Sequence, residues 1–264
     1  MGIKTYLTIK EAHSLFPSYK ITTLTPSVSG IVDTTYITED FIIKKYERDI
    51  QKRVDADIKL LCDLKELGLN TPAYLEQNAG WYLYEKLKGT MAVHIELSHI
   101  RSLAGFLAKF HSYSYKRDAL IDVYDIDEIE KMLEFLKHNF YSYYKKLSSL
   151  KNYHVKSDGM IHGDIFKDNT LFQADKIAVF DFIDAGRGSF VFDIAVALVG
   201  FGIKKHYHTK IELFLKVYNQ HAPIKQSKKE LLHVMEIAAH FYTLKRIYHK
   251  KKIDKSLLLF FNSF

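Results

Sequence analysis

Apolar positions along the chain repeat with two different periods. From Thr25 to Thr38 polar and apolar residues alternate on either side of Gly30, which predicts two strands joined by a turn. Phe41–Tyr46 (FIIKKY) is a short run rich in β-branched residues and predicts a third strand. Val54–Leu67 then shifts to helical spacing through Ile58, Leu61, Leu64 and Leu67, with Gly68 as a stop signal. After the Thr71-Pro72 break, Ala73–Leu75 and Trp81–Leu87 read as two more strands around a turn at Asn78, Ala79 and Gly80. Beyond Ser98 the spacing is mostly helical. One helix is marked by Leu103, Leu107, Phe110 and His111, another by Ile126–Leu150 with Tyr141, Tyr143 and Tyr144, and more follow from Asp193 to about Phe261. A strand-rich interlude from Gly159 to Phe182 interrupts them.

This order predicts an α+β chain: a small β-rich lobe over residues 1–88, then a larger, mostly helical lobe over 89–264. The chain of 264 residues is long enough for two such lobes. Composition narrows the function classes. The charge of +7 comes from 38 Lys+Arg against 31 Asp+Glu and favours an anionic partner. The basic residues are spread along the chain. The densest run, Lys245 to Lys255, reads as the solvated face of a helix rather than a nucleic-acid arm. Cys62 is the only cysteine, which excludes an intrachain disulfide or a cysteine-rich metal site, and its helical position reads as core. No segment has the apolar length of a membrane span and the first residues lack a signal-peptide pattern, so a cytoplasmic protein is expected. The Leu257–Phe261 run reads as a short segment docking on the core.

Candidate chemistry concentrates between Met160 and Leu198, which holds His162, Asp164, Asp168, Asn169, Asp181, Asp184 and Asp193. Phosphoryl transfer requires a carboxylate to orient and deprotonate the attacking hydroxyl, and oxygen ligands for magnesium on the phosphates. Asp164 and Asn169 share one loop before the strand Thr170–Phe172, so one can face substrate and the other metal. Asp181 ends the apolar strand Ile177–Phe180 and returns beside Asn169 if the two strands pair as a hairpin.

His162-Gly163-Asp164, then Asn169, then Phe180-Asp181-Phe182, resembles the aminoglycoside phosphotransferase and choline kinase superfamily, which has the protein-kinase-like fold. The resemblance implies an ATP- and magnesium-dependent transferase acting on a hydroxyl of a small molecule, with Asp164 as base, His162 bracing its loop, and Asn169 and Asp181 as magnesium ligands. Asp193 would cap the following helix and support the loop. On the nucleotide side, the apolar run before Lys44 fits the strand lysine that holds the phosphates, with Asp57 as its helix partner. Lys45 then faces away, because side chains alternate along a strand. Ser29 and Gly30 would cover the phosphates, and the linker from Tyr84 through Glu85 to Leu87 would meet adenine through its backbone.

His162 to Phe172 is similar to the same stretch in homoserine kinases of this fold, and so is the Asp193–Leu198 segment. A homoserine-like acceptor is therefore expected, with Asp184 and Arg187 as candidates for its amine and carboxylate. Alternatives are a choline or ethanolamine kinase, which the tyrosines at Tyr141–Tyr144 keep open, and an amino-sugar or aminoglycoside kinase, against which the basic balance argues. A nucleotide-binding pseudokinase or regulatory interaction protein is the alternative of another class. No nucleic-acid or membrane partner is expected.

Overall fold

The structure, a computed structural model, describes residues 3–27, 32–154 and 156–253. The chain divides into two compact units, Met1–Thr90 with Ala178–Ile183, and Met91–Ile177 with Asp184–Phe264. The excursion of Ala178–Ile183 into the first unit is absent from the sequence reading, which keeps the lobes contiguous. Its anchors are long-range: the Val179 N–H donates to the Asn70 carbonyl and the Arg53 guanidinium to the Ile183 carbonyl.

In the first unit, helix α1 (Ile9–Leu15) precedes a five-stranded antiparallel sheet. Its strands are β1 (Thr25–Pro26), β2 (Thr34–Ile37), β3 (Phe41–Lys45), β4 (Tyr74–Asn78) and β5 (Trp81–Glu85), in the spatial order β1-β2-β3-β5-β4. Helix α2 (Gln51–Glu66) buries Val54, Leu60, Leu61 and Leu64 and ends at Gly68, whose φ of +68° allows the Leu69 N–H to reach back to the Leu64 carbonyl. Leu7, Ala12, Phe16, Ile21, Tyr36, Ile43, Trp81 and Leu83 form the core of this unit. Cys62 and Leu67 are exposed, contrary to the sequence reading. The buried face of α2 runs through Val54, Asp57, Leu61 and Leu64 and leaves Cys62 on the solvent side.

In the second unit, α3 (Leu97–Ser114) packs on α7 (His208–His221), and α6 (Phe190–Gly200) on α8 (Lys228–Lys250). Every residue of α6 from Phe190 to Val199 is buried, as expected for a helix apolar on all sides. The predicted helix Ile126–Leu150 is broken: α4 (Ile126–Asn139) stops at Phe140 and α5 (Tyr141–Leu147) starts anew, followed by a 3₁₀ turn (Ser148–Asn152). Tyr141 is exposed, stacked on Tyr144, rather than part of a core. β6 (Gly159–Ile161) pairs with β9 (Gly186–Gly188), and β7 (Thr170–Gln173) with β8 (Lys176–Val179). The N-cap of α6 is Ser189, whose hydroxyl accepts from the Phe192 N–H. This corrects the cap reading of Asp193, which lies inside the first turn. Leu257–Phe261, Lys255, Ser29 and Gly30 lie outside the described residues.

Candidate active site

In the second unit the stretch after β6 bends sharply. Gly163 has φ of +73°, and a Cβ built there would lie 2.5 Å from Cγ1 of Val123. The bend is fastened by Asp193 on α6, a fully buried carboxylate. Its Oδ1 accepts from the Gly163 N–H at 2.7 Å and its Oδ2 from the His162 N–H at 3.1 Å. His111 on α3 lies 3.0 Å from Asp193 Oδ2 through Nε2 and 2.7 Å from the Tyr218 hydroxyl of α7 through Nδ1. Burial alone would raise the Asp193 carboxyl, but the His111 hydrogen bond foremost, with the Gly163 N–H, holds it below the usual range. Two backbone donors and one ring thus bind an anion that has no access to water.

On this support, the Asp164 N–H donates to His162 Nδ1 at 3.2 Å. His162 is itself buried and fixes the loop from inside. Asn169, at the end of a 3₁₀ turn (Lys167–Asn169), donates through Nδ2 to the Asp164 carbonyl at 2.8 Å and to Asp164 Oδ2 at 3.1 Å. The amide therefore steers the Asp164 carboxylate and directs its own oxygen away from it. The Tyr242 hydroxyl of α8 donates to the Gly163 carbonyl. His162, Asp164 and Asn169 are thus brought together. Asp184 is exposed, and the Arg187 donors are engaged by Asp122 at 2.8 and 2.9 Å and by Asp118 at 3.2 Å. Arg187 serves first as an ion-pair anchor of β9.

In the first unit, Lys44 Nζ lies 3.0 Å from Asp181 Oδ1. Burial opposes its charge, but Asp181 foremost, then Asp57 and Asp33, raise its pKa. Lys45 faces the other way, its Nζ 5.4 Å from the Trp81 ring centroid. Asp57 is buried, and its Oδ1 has no hydrogen-bond partner. Burial pushes it up to about 7 against the pull of Lys44, with the Asp181 charge adding to the rise. Lys44 thus holds Asp181 directly and Asp57 only through its field. Asp181 itself takes φ of +69°, a left-handed backbone uncommon outside glycine, and its side chain is exposed. At the predicted linker, the Glu85 N–H donates to the Ala73 carbonyl, the Lys86 N–H to the Asp40 carbonyl, and the Glu85 carboxylate pairs with Lys65 at 2.7 Å. Leu87 is half-buried.

Asn169 in the second unit and Asp181 in the first each carry a hard oxygen donor of the kind magnesium takes alongside phosphate oxygens and water. Sequence reasoning missed His111, Tyr218 and Tyr242, because each sits at ordinary helical spacing far along the chain. A histidine and two tyrosines facing inward on apolar helices carry no local signal of the loop they support.

The loop that carries Asp164 and Asn169 in the second unit and the Lys44–Asp181 pair in the first are each of a kind that phosphoryl transfer uses, and the family match makes the chain an ATP-dependent kinase acting on a hydroxyl group. The chain belongs to the phosphotransferase enzyme family, whose family model matches residues 23–220. It is 23% identical over 247 aligned positions to a homoserine kinase of Polaromonas naphthalenivorans, covering 81% of this chain and 78% of that one. It is 26% identical over 194 positions to a homoserine kinase of Methylobacillus flagellatus, covering 64% and 60%. Among solved structures, the aminoglycoside phosphotransferase APH(2'')-Ib in its ADP-bound form superposes with a TM-score of 0.69 at 19% identity, covering 96% of this chain and 95% of that one. The choline kinase LicA of Streptococcus pneumoniae gives 0.64 at 14%, covering 96% and 95%. The fold is therefore protein-kinase-like, as the sequence reading has it.

Proposed function

We propose that the chain transfers the γ-phosphoryl group of ATP, with magnesium, to the hydroxyl of a small amino acid of the homoserine type. The observation that carries the transfer step is the Asp164 carboxylate, held by the Asn169 amide on a loop whose backbone is pinned to buried Asp193. A carboxylate fixed in this way can accept the hydroxyl proton as the oxygen attacks, without reorganising at that moment. Lys44 would hold the nucleotide phosphates, and Asn169 and Asp181 would hold the metal, which offsets charge developing on the transferred group. The homoserine reading is supported by the relatives named above and by the His162–Phe172 sequence. The choline alternative is weakened because the Tyr141 ring already has a cation, Lys145 Nζ at 5.4 Å from its centroid.

The test is magnesium-dependent ATP consumption against homoserine, choline, ethanolamine, amino sugars, methylthioribose and aminoglycosides. Homoserine should give the highest kcat/KM, and Asp164→Asn should lower kcat by about 10²–10⁴-fold while nucleotide affinity stays within about threefold. An Asp164→Asn enzyme as fast as the parent would remove the assigned base. Turnover of another acceptor alone would keep the chemistry and discard homoserine.

A further inference from the structure

The sequence reading treats Lys245 as part of a solvated basic face; the structure places it half-buried on α8. Its Nζ lies 5.4 Å from the ring centroids of both Phe241 and Tyr242. Tyr242 donates its hydroxyl to the Gly163 carbonyl, and its ring packs 4.7 Å from that of Phe166, so this face of α8 lies against the loop that carries Asp164. Next along the helix, the Arg246 guanidinium lies over the Phe166 ring, 5.5 Å from its centroid. Among the described residues no carboxylate or carbonyl partners the Lys245 ammonium, whereas the Asp164 carboxylate already receives the Asn169 amide. Burial lowers the Lys245 pKa, and the nearby charge of Asp164 works the other way. Half-buried beside the Asp164 loop and held by no direct hydrogen bond or ion pair among the described residues, this ammonium presents a positive charge that an arriving carboxylate can pair with.

We propose that Lys245 is the specificity residue for the phosphate acceptor and takes the acceptor's carboxylate, so that the enzyme selects hydroxy acids and hydroxy amino acids over cationic alcohols. The inference rests on the kinase reading of Asp164 and extends it to a residue that sequence spacing gives to solvent. An acceptor with its hydroxyl on Asp164 and its carboxylate on Lys245 satisfies both groups at once. The net charge of +7 disfavours a polycationic acceptor. The aromatic rings of Phe241 and Tyr242 exclude water around the ammonium and strengthen its pull on a carboxylate.

The probes are L-homoserine, its decarboxylated counterpart 3-aminopropan-1-ol, and 4-hydroxybutyrate, which keeps the carboxylate and lacks the amine. Their dissociation constants are measured by calorimetry in the presence of a non-hydrolysable ATP analogue and magnesium, for the parent, Lys245→Met and Lys245→Arg. Turnover is measured in parallel. The parent should bind both carboxylates more tightly than 3-aminopropan-1-ol. Lys245→Met should weaken the carboxylates by about tenfold or more, leaving the amino alcohol and the ATP analogue unchanged, and Lys245→Arg should keep most of the preference. Unfolding temperatures close to the parent's establish that the variants are folded.

Equal carboxylate binding by Lys245→Met would overturn the inference. So would a parent that binds none of the three probes, or a variant that loses the ATP analogue instead of the acceptor. Turnover restricted to choline or amino sugars would overturn it too, while leaving the kinase reading intact. Turnover of 4-hydroxybutyrate without homoserine would support the inference and discard the homoserine assignment.

Discussion

The surroundings of Asp57 conflict with its charge. It is buried on α2, one carboxylate oxygen lacks a hydrogen-bond partner, and its pKa is pushed up to about 7. A folded-state pKa above the ordinary carboxylate value means that the folded chain binds the proton more tightly than the unfolded one. Stability from this site is therefore fully present below about pH 4, falls as pH rises, and is lost above about pH 7. Asp57→Asn removes the titration. The difference in unfolding free energy between Asp57→Asn and the parent should grow in favour of the variant from pH 5 to pH 8, by on the order of a few kcal/mol at most. Urea titrations at those two pH values measure it, and a difference independent of pH would show that Asp57 keeps an ordinary pKa. The partner assignment of Lys44 illustrates what one sequence can specify. Alternation along FIIKKY sends Lys44 and Lys45 to opposite faces, the family resemblance selects Lys44, and the structure orients the two as alternation requires. That Lys44 meets Asp181 directly and Asp57 only at a distance depends on Ala178–Ile183 joining the first unit, and no local pattern encodes that.

At the scale of elements, the loop from His162 to Asn169 owes its shape to α3, α6, α7 and α8 together. Asp193 binds two of its N–H groups, His111 and Tyr218 hold Asp193, and Tyr242 takes the Gly163 carbonyl. The loop was legible because its candidate groups lie close together in the chain, and the resemblance also named Asp193 as a support; His111, Tyr218 and Tyr242 were not legible, because they are dispersed over three other helices. Elsewhere local signals went unused or misled. Thr8 and Glu11 form a capping box that starts α1, a spacing visible in the sequence. The break at Phe140 has neither proline nor glycine to announce it, and β9 is the low-propensity triplet Gly186–Gly188, a strand only through its pairing with β6. The turn at Gly163 yields a sharp prediction. Gly163→Ala adds a left-handed backbone penalty of about 1–2 kcal/mol to a clash with Val123. The variant should lose stability and kcat together. Adding Val123→Ala should recover part of the stability, because it relieves the clash and leaves the backbone penalty. A Gly163→Ala enzyme with parental stability would show that the turn does not need glycine.

At the scale of the whole molecule, the proposed function gives roles to residues of each compact unit taken by itself, Lys44 and Asp181 in the first and Asn169 in the second. A ligand that binds only the folded form adds about 2.7 kcal/mol at a hundred times its dissociation constant, which for a chain of this size raises Tm by about 5–10 °C. With a non-hydrolysable ATP analogue, part of that rise should appear without magnesium, through Lys44 and the strand linker, and the rest only when magnesium is added. Asn169→Ala and Asp181→Asn should each lose the magnesium-dependent part and keep the other. Because Asp181 also pairs with Lys44 in the unliganded chain, Asp181→Asn should lower the starting Tm as well, whereas Asn169→Ala acts there by removing the amide's hydrogen bonds to the Asp164 carbonyl and carboxylate. The two variants therefore separate metal binding from background stability. A magnesium-dependent rise undiminished in both would take the metal away from these residues, and loss in one alone would leave the ion to that residue.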